Sequence, residues 1–169
     1  GGPGGGGNGA LTYAPPMEEP EDVFVYDPKN PVPHLIAMEE NEMAVPENYR
    51  DVEKREDILV YTSETLTEPV TIAGHAQVVL YASTDAVDTD WLVRLTDVDE
   101  EGNSIRLVDR LICTRYRESF EKPEPLTPQE VVRYEIRLPH VANAFQKGHR
   151  IRLQVCSSAS QLYFPNPNT

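Results

Sequence analysis

The sequence predicts an all-β fold: a two-sheet β-sandwich of jelly-roll type, preceded by an extended N-terminal segment. Three observations predict it. Short apolar runs alternate with polar residues at period two, most clearly from Val132 to Leu138 and from Ile151 to Val155. Turn signals separate these runs at strand-like spacing, and the chain carries 15 prolines and 10 glycines in 169 residues. No segment keeps helical periodicity over three turns.

Gly1 to Gly9 is glycine-rich and reads as flexible. Leu11-Thr-Tyr13 suits a short strand. From Ala14 to Tyr49 prolines and acids dominate (Pro15, Pro16, Glu18, Glu19, Pro31, Pro33, Glu39, Glu40, Pro46), which predicts an extended stretch draped over a neighbouring surface. Val23-Phe-Val-Tyr26 is its best anchor. Residues 1–49 are therefore read as a linking segment and 50–169 as the sandwich.

Ile58 to Tyr61 reads as a strand, and so does Val70 to Ser83, centred on Val78-Val-Leu-Tyr81. Trp91, Val93 and Leu95 alternate with Leu92, Arg94 and Thr96, giving one buried face. Asp99-Glu-Glu-Gly-Asn103 is a hairpin loop whose glycine supplies a positive φ. Ile105 to Arg117 returns as a strand. Val132, Tyr134, Ile136 and Leu138 form the next, and Val141 to Phe145 is expected to make a turn of helix before Gly148. The alternation puts one face of each sheet in a shared core and the other in solvent or against a partner. Pro165-Asn-Pro-Asn-Thr169 is a loop, so the sandwich is expected to lack its last strand or strands.

The formal charge of −13, from 15 basic and 28 acidic residues, repels phosphate backbones and anionic membranes. No nucleic-acid or membrane partner is expected. No stretch is long and apolar enough for a membrane span, and no basic-then-apolar segment at the start of the given sequence reads as a signal peptide, which says nothing of a longer parent. The compartment stays open with the cytoplasm slightly favoured, and so does a homo-oligomer. Cys113 and Cys156 lie in strands and are read as small hydrophobes rather than a disulfide framework.

Catalytic chemistry is not apparent. The elbow of a serine nucleophile needs small neighbours in Gly-x-Ser-x-Gly. Only the first half occurs, in Gly102-Asn-Ser104, at a hairpin. His34, His75, His140 and His149 show no zinc spacing and are read as solvated or edge residues, with no acid–base partner for His34 suggested by spacing. Asp85, Asp88 and Asp90 could offer oxygens to calcium, but capping of backbone amides in a turn is the better reading. Arg150 with Arg152, and Arg133 with Arg137, are read as pairing with acids across strands rather than holding a carboxylate ligand. Trp91 and Tyr81 could stack on a sugar, but the phase of Trp91 places it in the core. The expected site residues are none for catalysis, for cofactors and for metals.

Taken in order, Asp57-Ile-Leu-Val-Tyr-Thr-Ser63, Leu66 to Gly74, Val79 to Ser83, Asp88 to Val98, Arg115-Tyr-Arg117, Gly148 to Leu153 and Asn166 to Thr169 carry a resemblance. The set resembles the C-terminal domain of X-Pro dipeptidyl-peptidases and of the related cocaine esterase and α-amino-acid ester hydrolase group. The resemblance implies a galactose-binding-like jelly roll following an α/β-hydrolase catalytic domain, with a Ser-His-Asp triad lying wholly upstream. It implies a non-catalytic domain that packs on its own upstream catalytic domain and helps wall the substrate pocket. The tryptophan after Asp90 looks most like the ester-hydrolase branch. The alternative is a carbohydrate-binding jelly-roll module.

Overall fold

The structure, a computed structural model, describes residues 8–14, 20–35 and 47–168. The expectations for Gly1 to Gly7, for Pro15 to Glu19, for residues 36–46 (with Glu39, Glu40 and Pro46) and for Thr169 lie outside the described residues. The strands are β1 (Asn8–Leu11), β2 (Leu59–Ser63), β3 (Val70–Ala82), β4 (Asp90–Val98), β5 (Ser104–Cys113), β6 (Val132–Phe145) and β7 (Arg150–Cys156). Two short 3-10 turns, Val52–Lys54 and Thr114–Tyr116, are the only helical elements among the described residues.

The strands form two sheets, one of five strands in the order β1-β2-β7-β4-β5 and one of two, β3-β6. β1 runs parallel to β2, and the other pairings are antiparallel. The sheets pack through one core: Trp91, Val93, Leu95, Val108 and Val155 from the larger meet Tyr134, Ile136 and Leu138 from the smaller. Non-directional apolar burial of this kind supplies most of the driving force for such a sandwich. The β4–β5 loop turns as the sequence indicates, with Gly102 at φ +83° and the Asp99 carboxylate accepting from the Asn103 amide.

One local expectation is overturned. Val141 to Phe145 is not helical but continues β6, pairing with Val70 to Gly74. Period two runs on through it: Phe145 is buried and Val141 and Asn143 are half-buried, while Ala142 and Ala144 face out. A bulge separates the His75–His140 pair from the Gln77–Arg137 pair, and Pro139, which cannot donate to a ladder, falls within it without a register partner. The bulge hides the strand in the sequence.

The second correction concerns β4, where eight of the nine residues are buried, on both faces. Its far face meets neither solvent nor a separate partner. The chain's own N-terminal segment covers it: Val32 packs with Ile58, Val60, Leu92, Cys156 and Ala159 in a second apolar cluster. Backbone bridges at Pro33–Ser160 and Asn48–Ile105 pin that strap to the sheet. Phe24 meets Trp91 edge-on, with centroids 6.2 Å apart, while Val23 and Val25 point outward.

Candidate functional site

The far face of β4 carries a buried polar cluster that the strap closes. Arg94 lies opposite Asp109 on β5 and opposite Gln154 on β7, so the ladder delivers both partners to its guanidinium. Nε donates to Asp109 Oδ2 at 3.0 Å and Nη1 to Gln154 Oε1 at 3.1 Å. The guanidinium also sits 3.7 Å over the ring of Tyr49, a cation–π contact in a desolvated setting. His34 Nε2 reaches the same Asp109 oxygen at 3.2 Å. Arg94 has no exposed surface and His34 almost none.

The electrostatics follow from these contacts. Burial alone would raise the Asp109 carboxyl, but the His34 hydrogen bond and the Arg94 and Arg106 charges outweigh it and hold the group below its ordinary value. Burial pushes the Tyr49 phenol up to about 12, so it stays a neutral donor, here to Glu47. Beside this cluster Glu53 accepts from Ser104, Arg152 and Gln154, and Ser104 also bonds Thr96.

His34 therefore departs from the expectation of a solvated or edge histidine: a carboxylate partner 75 positions away compensates its burial. A His–Asp contact is two-thirds of a hydrolytic triad, but the described residues bring no nucleophile to this one. His34 Nδ1 has no hydrogen-bond partner among the described residues, so no hydroxyl or thiol is offered to it. Ser104, the serine of the half-matched elbow, is fully buried and committed to Glu53 and Thr96.

The aspartate triplet divides. Asp85 is exposed, while Asp88 and Asp90 are buried. Asp88 accepts from the Arg115 backbone amide and guanidinium, from Thr114 Oγ1 and, at 2.7 Å, from Asn166 Nδ2. Burial raises it, but these donors win and its pKa is lowered. Asp90 accepts from Asn166 Nδ2 at 3.0 Å and from the Cys113 thiol, but burial outweighs both and leaves its pKa raised. Asn166 is thus a clamp, and its carbonyl also accepts from the Tyr26 hydroxyl at 3.1 Å. No group of three or more metal-ligating side chains occurs among the described residues.

Other candidates are placed plainly. His149 pairs with Asp97 at 2.8 Å, and His75 stacks on His140. Arg152 pairs with Glu53, Arg133 with Glu135 along one strand, and Arg150 bonds Thr65. Cys113 and Cys156 are free and sit on strands flanking β4 rather than adjacent ones. Trp91 is buried while Tyr81 is exposed on the outer face of β3, so the two do not form one platform.

An open cleft of about 650 Å³ lies between β5 and β6, the edge strands of the two sheets. Arg110, Tyr116, Phe120, Arg133 and Arg137 line it. Phe120 is almost fully exposed, and Tyr81 and Val79 on β3 and Val131 just before β6 are exposed as well. Tyr81 lies opposite the cleft residue Arg133. No described helix is long and apolar enough to cross a membrane.

Comparison with known proteins gives these features a setting. The cocaine esterase of Rhodococcus sp. (strain MB1 Bresler) is 36% identical over 165 residues, covering 96% of this chain and 29% of the esterase. A solved α-amino acid ester hydrolase superposes with a TM-score of 0.86 at 36% identity, over 95% of this chain and 29% of that one. An aminopeptidase from a marine sediment archaeon, Thaumarchaeota archaeon, superposes with a TM-score of 0.80 at 36% identity, over 86% and 27%. The chain spans less than a third of the length of these relatives. The family described as the X-Pro dipeptidyl-peptidase C-terminal non-catalytic domain matches residues 6–169, and the chain belongs to that family.

Proposed function

We propose that this domain serves an α/β-hydrolase-type serine hydrolase, packing on the catalytic domain of its own longer protein and helping wall the substrate pocket. One observation carries the reading: nearly the whole chain aligns with under a third of an esterase, while among the described residues nothing hydrogen-bonds the second ring nitrogen of His34 in its contact with Asp109. In this reading residues 1–49 link the catalytic domain to the sandwich of residues 50–169, and the described residues 20–35 and 47–49 lie against it. Exposed large apolar side chains at Val79, Tyr81 and Phe120 suit a docking surface that water would not favour. An acyl ester is the favoured substrate class, on the Asp90-Trp91 pair and the esterase relative. A carbohydrate-binding role is not favoured, because the one tryptophan is in the core.

The test places Tyr81→Glu and Phe120→Glu in the longer protein and in the chain alone. The reading expects both variants to lower acyl-ester hydrolysis and thermal stability of the longer protein, with the melting temperature of the chain alone unchanged. Unchanged activity and stability in the longer protein would overturn it.

A further inference from the structure

The outer face of the β3–β6 sheet holds two histidines directly opposite each other, His75 and His140. Their ring centroids are 3.5 Å apart and their planes tilt by 54°. His75 Nδ1 lies 3.0 Å from the Leu138 carbonyl oxygen. A carbonyl can only accept, so Nδ1 carries the proton and the lone pair sits on Nε2. This is the arrangement by which proteins orient a metal-binding imidazole, with one ring nitrogen donating to a backbone carbonyl and the other left to the metal.

The other two histidines of the chain are not available. His34 is buried against Asp109, and His149 is engaged by Asp97. The pair on β3 and β6 is exposed at both positions. A net charge of −13 raises the local concentration of cations around the domain.

From this juxtaposition we infer that His75 and His140 form a surface site for a divalent transition metal of the nickel, copper or zinc class. Two imidazole nitrogens on one such ion lie roughly 3 Å apart, for bonds of about 2.0–2.1 Å at a right angle. Rings already in contact reach that separation by side-chain rotation within their wells. No third histidine, cysteine or carboxylate joins them among the described residues, so water completes the coordination. The ligand set selects against magnesium and calcium, which take oxygen donors.

The experiment is calorimetric titration of the untagged chain with Ni2+, repeated with Mg2+. His75→Gln, His140→Gln and the double variant are compared, each checked for retained fold by far-ultraviolet circular dichroism. The inference expects one Ni2+ per chain, no Mg2+ uptake, and a fall in affinity of at least about tenfold in either single variant, the loss that removing even a supporting group causes. A folded double variant that binds Ni2+ as the wild type does would overturn it. So would the absence of stoichiometric Ni2+ binding by the wild type, or a loss confined to one histidine. His34→Gln is the internal control and is expected to leave the stoichiometry at one.

Discussion

Replacing Arg94 by Met tests the strapped-sheet account at its centre. The guanidinium has no exposed surface and bonds both Asp109 and Gln154. Methionine fills much of the same space without the charge, so the variant reports on the uncompensated carboxylate more than on a cavity. Breaking a buried ion pair from one side costs about 3–5 kcal/mol. Asp109 keeps His34 at 3.2 Å and Arg106 at 3.9 Å, which puts the expectation at the lower end. The expected loss is about 3 kcal/mol, which lowers the melting temperature of a domain this size by roughly 6–12 °C. Urea unfolding of the chain, followed by Trp91 fluorescence, measures it. The companion variant Asp109→Asn, combined with Arg94→Met, removes the stranded charge, so the double variant should lose less than the sum of the singles by about 1–3 kcal/mol. A loss under about 1 kcal/mol for Arg94→Met, with an additive double variant, would show that the cluster does not bind the strap and sheet together.

Three further outcomes follow from the same structure. Phe24→Ala removes the edge contact of the strap on Trp91; a half-buried phenylalanine should cost about 2 kcal/mol and speed proteolysis within residues 20–35, and unchanged cleavage would contradict the anchor. Gly148→Ala forces a side chain onto a backbone at φ +89° against Glu100, and should cost about 1–3 kcal/mol in the same unfolding assay. Asp88 and Asp109 have lowered folded pKa values, so their stabilisation is complete above the unfolded value of 3.8 and drains as pH falls below it. Asp90, whose pKa is raised, acts in the opposite sense and offsets part of this. Unfolding free energy should therefore drop between about pH 4 and pH 2, and Asp109→Asn should flatten that drop; an equally steep variant would refute the assignment.

The sandwich was legible because its strands obey period two where one face is buried. Val132 to Leu138 and Ile151 to Val155 show it, and the structure places their apolar members in the shared core. The phase of Trp91 alone places it in the core. The strap's contacts were not legible, because each joins residues far apart in sequence that no local pattern links. Arg94 alternates with Val93 and Leu95 just as a solvent-facing arginine would; only the arrival of Tyr49 and His34 from the N-terminal segment removes it from water. Asn166 read as part of a loose end for the same reason, since its partners Asp88 and Asp90 lie 78 and 76 positions away. A signal is available in part: Asp88 and Asp90 lie at the entry to a strand with a buried face, where carboxylates need donors.

The most direct test of the central claim is hydrolysis of a chromogenic acyl ester by this chain alone and by the longer protein that carries it. The account predicts turnover by the longer protein and none by the isolated, folded chain. Turnover by the chain itself, abolished by His34→Gln, would contradict it, because the His34–Asp109 contact would then have a nucleophile that the structure does not give it.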